Sequence, residues 1–294
     1  MISCKVKSTF CATAALLASA LLATAQSSDK NVVGNESSVR LSDSEREDMG
    51  DIRPAKPDSF LSHLRGSVQA REEFVTNAKL LGNHSSGDLL SFPTGEVGFN
   101  HALGHGLSID TVVRAESAVY ADHGNRSFWG FSGNTFLDWR PKPTCPRLFV
   151  GAEPYHYTSY DTGHRLSEAM VFSTGIDNGY VFNEHRTLLT VAYKFSDHFA
   201  SPAQDDRYVN CATVSLTHQF RPALFGQLFY QFQYSDYINE PRRDSRHVVG
   251  GNVIYQFTAH LYGSFGADFI DNDSTQALAT YQNFAAHAGL TLQF

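Results

Sequence analysis

Beyond residue 25 the chain has no long uninterrupted apolar run. This excludes a bilayer-spanning helix, which needs about 20 consecutive apolar residues. Cysteine is scarce: of 4 in all, Cys4 and Cys11 fall within the first 25 residues, leaving Cys145 and Cys211. Positive charge is also short, with 23 Lys and Arg against 30 Asp and Glu and a formal net charge of −7. No basic stripe exists to neutralise phosphates, which excludes nucleic acid as a partner. The 13 histidines are scattered without metal-ligand spacing, so neither a metal nor a cofactor is expected.

What is present begins with an export signal. Lys5 and Lys7 precede an apolar run from Phe10 to Leu22, and Ala23, Thr24 and Ala25 offer small residues for cleavage before Gln26. Basic, then apolar, then small is the order of a secretory signal peptide, too short for a spanning anchor. Cleavage after Ala25 is expected, and neither Cys4 nor Cys11 stands where a lipidated cysteine would be needed. Residues 26–62 are rich in Ser, Asp, Glu and Pro and carry no apolar period. They are expected to form a disordered periplasmic segment.

From about residue 63 onward, alternating segments of roughly ten residues follow one another with turn chemistry between them. The last is the clearest. Counting back from Phe294, Leu292, Leu290, Ala288, Ala286 and Phe284 are apolar, while Gln293, Thr291, Gly289, His287, Ala285 and Asn283 are small or polar. A strand with this period has one apolar and one hydrated face. Candidate strands are 64–76, 94–103, 107–120, 127–140, 147–158 and 166–177, and six more from residue 186 bring the total to about twelve. Pro154 is expected to bulge or shorten the fifth. Connections alternate in length. Phe220 to Leu224 and Phe257 to Leu261 are tight turns, whereas Ser196 to Arg207, Asp236 to Arg246 and the stretch from Asp271 read as longer polar loops.

The strand ending LTLQF, with the segments before it, resembles bacterial outer-membrane β-barrel proteins of the porin-like kind. The resemblance covers roughly Leu64 to Phe294. It implies an all-β fold over residues 63–294, a single transmembrane antiparallel barrel with up-and-down meander topology. It also implies an outer-membrane location in contact with lipid, recognition of the strand ending at Phe294 by the barrel-assembly machinery, and room for a homo-oligomer. With Phe294 taken as periplasmic, strand ends at Phe257, Phe220 and Trp139 fall at the same depth. These four outward aromatics form an interfacial girdle.

Parity then places a set of charges inside the barrel: Arg65, Arg71, Glu73, Glu96, Asp110, Arg114, Glu116, Asp138, Arg140, Glu153, Glu168, Lys194 and Asp268. Charges on the lipid face near mid-membrane would cost about 2–4 kcal/mol, and their absence there agrees with the assignment. A mixed ring of acids and bases can line a constriction with a transverse field, or plug a narrow barrel as a salt-bridge network. The leading reading is a passive or weakly selective channel for small hydrophilic solutes. The alternative is a non-conducting structural or adhesive barrel that binds through its outer loops.

A third reading is an outer-membrane lipid hydrolase, for which His84 and Ser86, with Asp88 following, have suggestive spacing. The segment reads as a loop, however, and Gly87 stands where those enzymes carry Asn, so the chain is read as non-enzymatic. The two remaining cysteines are expected to stay unbridged. Cys145 falls in a periplasmic turn, while Cys211 lies 9 residues up a strand from Phe220. At about 3.3 Å per residue this exceeds the reach of a disulfide.

Overall fold

A computed structural model describes residues 63–294 apart from 79, 81–85, 143 and 184–185. The expected signal peptide, 1–25, and polar segment, 26–62, lie outside the described residues. The period-two pattern resolves into twelve strands: β1 (Leu64–Val75), β2 (Asp88–Gly104), β3 (Leu107–Tyr120), β4 (Phe128–Trp139), β5 (Arg147–Ser159), β6 (Arg165–Phe182), β7 (Thr187–Ser201), β8 (Arg207–Arg221), β9 (Leu224–Tyr237), β10 (Arg243–Gln256), β11 (Leu261–Ser274) and β12 (Tyr281–Gln293). Each pairs with its sequence neighbour, and β1 pairs with β12, so the sheet closes into a barrel. Closure satisfies the backbone of every strand without exposing an edge to lipid.

One face of every strand points out and the other in. Outward apolar side chains such as Leu228 and Phe265 are each 65% exposed, whereas inward Glu73 and Asp268 are 0% and 1% exposed. That inversion, with apolar groups outside and charges inside, suits a lipid solvent. The strands are 12 to 18 residues long. A bilayer requires only about 9–11 of a tilted strand, so the ladder continues beyond the apolar band.

This corrects the expected loops. Residues 196–201 and 207 belong to β7 and β8, 236–237 and 243–246 to β9 and β10, and 271–274 to β11. The connections left are 202–206, 238–242 and 275–280. Polar residues do not end a strand when water is available on its outer face, so hydrophilicity overstated the loops. The periplasmic connection 140–146 is likewise longer than the outer connection 160–164, so the alternation of lengths is not strict.

Local chemistry accounts for the irregular points. The β2–β3 hairpin turns through His105 and Gly106, with φ of 56° and 76°. Two consecutive positive φ values are the mark of the type I′ turn, whose twist matches paired strands. Pro154 neither bulges nor ends β5. The β4–β5 register is the same on both sides of it, and only the pairs between Ser132–Tyr155 and Thr135–Ala152 are missing. A residue without an N–H simply leaves its rung on that side unmade.

Trp139, Phe220, Phe257 and Phe294 are all exposed on the outer face at one end of the barrel. Three of them do a second job. The rings of Phe220, Phe257 and Phe294 lie over the Cα of Gly226, Gly263 and Gly66, each on the next strand around the barrel, where a Cβ would meet the ring. Aromatic cover of a strand glycine restores side-chain packing where the glycine supplies none. At the barrel seam, Gly66 N–H donates to the Phe294 carbonyl at 2.8 Å and Phe294 N–H to the Gly66 carbonyl at 3.0 Å.

The lipid face is not free of charge. Glu72 points outward on β1, two residues below Phe74, and accepts the Ser91 hydroxyl of β2 at 2.7 Å. Around it the outward residues of β12, β1 and β2 include Ala286, Ala288, Ala70, Pro93 and Gly95, smaller than the aromatics found elsewhere on the belt.

Candidate functional site

The lumen holds twelve of the thirteen expected charges, and it brings them together in levels. At the periplasmic mouth, Arg65 on β1 reaches Asp110 on β3 at 3.0 Å, and Asn100 of β2 donates to the same carboxylate at 3.1 Å. Across the mouth, Arg147 at the start of β5 bridges Asp177 on β6 at 2.5 Å and Asp138 on β4 at 3.5 Å. Arg140, just beyond β4, lies 3.8 Å from Asp177. This level is wet: the side chains of Arg65, Asp110 and Arg147 are 34%, 21% and 36% exposed although they face inward.

Higher on the wall the pairs are drier. Arg114 meets Glu96 at 2.8 Å, and Tyr157 donates to Glu116 at 2.5 Å. Glu153 accepts from Lys194 at 3.4 Å and from the Ser173 hydroxyl. On the opposite wall Arg71 is paired with Glu73, and the guanidinium stands over the Phe92 ring. His287 touches Asn252 at 2.7 Å and lies 3.8 Å from Asp268. These acids stand within reach of a base on the same strand or one or two strands away, as in Arg65 of β1 with Asp110 of β3 and Lys194 of β7 with Glu153 of β5.

Glu168 is the exception and a correction. It shares parity with Leu166, Met170 and Phe172, all exposed, so it faces outward at the outer end of β6. There it pairs with Arg165 and with His156 at 3.1 Å, a half-exposed rim cluster where the outward face meets water rather than lipid.

A layer that charge-reading could not find lies in the outer half. Val75, Leu90, Ala118, Tyr120, Phe128, Tyr155, Tyr157, Ala169, Val171, Phe229, Val248, Ile270, Tyr281 and Ala285 form one packed cluster of buried side chains. All lie on inward positions, drawn from β1–β6 and β9–β12. Ala78 and Leu80, from the connection after β1, join the same cluster. Asn77 anchors that connection: its N–H donates to the Asn283 side chain at 2.9 Å and its amide to the Gln282 carbonyl at 3.1 Å. Apolar side chains thus pack the lumen at this level, and the paired groups Arg71, Glu73, Glu96, Glu153, Asp268 and His287 are buried on the same inner wall. The apolar residues come from ten strands, and only the barrel's register brings them into one cluster.

Above the layer lies a cationic recess lined by Arg207, Arg246, Tyr237, Asp244, Gln233 and Asn272. Arg207 and Arg242 stand over the Tyr237 ring at 5.4 Å and 4.4 Å. Arg242, in the β9–β10 connection, binds Asp244 at 2.5 Å. Burial lowers its pKa, but the hydrogen bond to Asp244 and that carboxylate's charge outweigh it and hold the guanidinium above its ordinary value. None of these arginines was singled out from sequence, because they sit at strand ends in stretches that read as loops. Among the described residues no group of His, Cys, Asp or Glu is placed to hold a metal ion.

Comparison with known proteins agrees with this architecture. Residues 199–294 match the family described as "Putative beta-barrel porin 2". No curated protein matches the sequence. Among solved structures, an outer membrane channel from Pseudomonas putida F1 is similar over 82% of this chain and 100% of its own, at 13% identity and a TM-score of 0.53. The CymD monoaromatic hydrocarbon channel aligns over 85% of this chain and 96% of its own, at 10% identity and a TM-score of 0.45. An anion-selective porin from Comamonas acidovorans aligns over 79% and 98%, at 10% identity and 0.41. At such identities the likeness speaks to the fold. The chain has the fold of outer-membrane β-barrel proteins, a closed antiparallel barrel of twelve strands.

Proposed function

We propose that the barrel is a passive or weakly selective channel for small hydrophilic solutes, closed in the present conformation by its apolar layer. The observation that carries this reading is the hydrated charge lining of the periplasmic mouth, where inward Arg65 and Arg147 are about one third exposed. A barrel meant only as a scaffold has no need of a wet interior bounded by ion pairs. Narrow apolar constrictions gate by dewetting, so conduction requires this layer to admit water. The structures reported above include channels and porins, in keeping with transport as the main role. Outer connections of five to seven residues, apart from 76–87, offer little surface for the adhesive alternative.

Planar-bilayer recording on refolded protein tests the reading. Resolved unitary current steps support it, and their absence across salts and voltages overturns it. The reading carries with it cleavage after Ala25, delivery by the assembly machinery through the strand ending at Phe294, and a homo-oligomer. For the last, the small outward residues around Glu72 are the favoured contact face, since a partner would remove that carboxylate from lipid.

A further inference from the structure

At the outer end of the barrel, Ser86 and Asp88 meet a residue distant in sequence, His123, in a line. The Ser86 hydroxyl is 3.0 Å from His123 Nε2, and His123 Nδ1 is 2.8 Å from Asp88 Oδ2. Ser86 precedes β2, Asp88 is its first residue, and His123 belongs to the β3–β4 connection. The Asp88 side chain is wholly buried and that of His123 is 18% exposed, while Ser86 is partly exposed, so access increases toward the hydroxyl. Asp88 also accepts the backbone N–H groups of Leu89, Asp122 and His123 at 2.8, 3.0 and 2.9 Å. A carboxylate held by that many donors is fixed in place and ionised. It accepts a hydrogen bond from His123 Nδ1–H, which fixes the tautomer and leaves the Nε2 lone pair facing the serine hydroxyl.

We propose that Ser86, His123 and Asp88 form a catalytic triad that hydrolyses carboxylic esters at the outer mouth, an activity additional to transport. The histidine comes from the β3–β4 connection, 37 residues from Ser86, which is why the sequence, offering His84 as partner, did not reveal the set. Ser86 Oγ attacks the ester carbonyl carbon while its proton passes to His123 Nε2. The carbon–oxygen bond to the alcohol then breaks, and the departing oxygen takes that proton. Water attacks the resulting acyl-serine, His123 accepts its proton, and release of the carboxylic acid returns the proton to Oγ. Asp88 is a positioning residue that sets the tautomer. Arg126 is the candidate to stabilise the oxyanion. Its guanidinium donates to the Ala78 carbonyl at 2.6 Å, and Ala78 N–H donates in turn to the Ser86 carbonyl at 2.9 Å.

The test uses the refolded full barrel in detergent, with native folding checked by heat-modifiable gel mobility. A fluorophosphonate probe should label the folded protein at Ser86 and fail to label Ser86→Ala. Hydrolysis of p-nitrophenyl butyrate should fall by roughly a thousandfold or more in Ser86→Ala and in His123→Ala. Asp88→Asn should lower the rate and shift its pH profile, which a purely structural role would not do. Phosphatidylethanolamine vesicles in a parallel assay separate the sources of the ester. Ser86-dependent release of fatty acid identifies membrane lipid, and butyrate cleavage alone identifies a soluble ester. A folded barrel that takes no label, or whose hydrolysis is unchanged in Ser86→Ala, overturns the proposal. Conductance is read separately, so either function can fail without the other.

Discussion

The ring of Phe294 occupies the space beside Gly66 that any larger residue's Cβ would need, and the backbones of the same two residues exchange both hydrogen bonds at 2.8 and 3.0 Å. The barrel is thus fastened at its seam by a C-terminal aromatic seated on a glycine. Gly226 under Phe220 and Gly263 under Phe257 repeat the arrangement with no seam to fasten. Gly66→Val should therefore force the ring aside and destabilise closure by about 1–3 kcal/mol. Phe294→Ala should loosen the same seam by removing the ring. Both should lower the temperature at which the folded gel band is lost, and Gly226→Val should have a smaller effect on barrel closure.

Hydration of the apolar layer should control current. Val248 is 1% exposed and packs in that layer. Val248→Thr keeps the shape but introduces a hydroxyl, at a cost of about 1–3 kcal/mol in stability. The expected outcome in bilayer recordings is a longer open time or a larger unitary conductance. An unchanged current would show that the barrier lies elsewhere.

Charge selectivity should follow the wall pairs. Glu153 neutralises Lys194 at 3.4 Å. Glu153→Gln removes one negative charge from beside the ammonium, an effect on the order of 1 kcal/mol or more at such separations. Reversal potentials in a salt gradient should shift toward anion preference, and Lys194→Gln should shift them the other way.

The two described cysteines are not joined. Cys145 is partly exposed in a periplasmic connection and Cys211 is buried on the inner wall, where its sulfur accepts from Gln231 at 3.0 Å. Maleimide should therefore label Cys145 in the folded barrel and Cys211 only after unfolding. Gel mobility should be the same with and without reductant.

The barrel could be read from sequence because its grammar is local. Alternation within one strand sorts inside from outside, and Phe220 to Gly226 and Phe257 to Gly263 repeat the same spacing of aromatic, leucine and glycine. Leu64 and Gly66 complete that spacing after Phe294, but only closure of the sheet brings them together. Glu168 was misplaced because its parity with Leu166 and Met170 was overridden by its charge, which the rim tolerates. Glu72 departs from the same rule within the belt. The apolar layer and the Ser86–His123 contact were out of reach for another reason. Both depend on which residues of distant strands or connections share a height, and that is set by register, not by any local pattern.

The packing of the lumen above its periplasmic mouth has an electrical consequence. A mouth lined with hydrated ions is a conductor, whereas packed tyrosine, leucine and valine are a dielectric. A potential applied between the two mouths therefore falls across that packed region instead of along the whole lumen. The field there is steep. The arginines above it and the paired charges below it stand as the two plates of a small capacitor, so modest changes in external ionic strength act most strongly at the one place where water must enter.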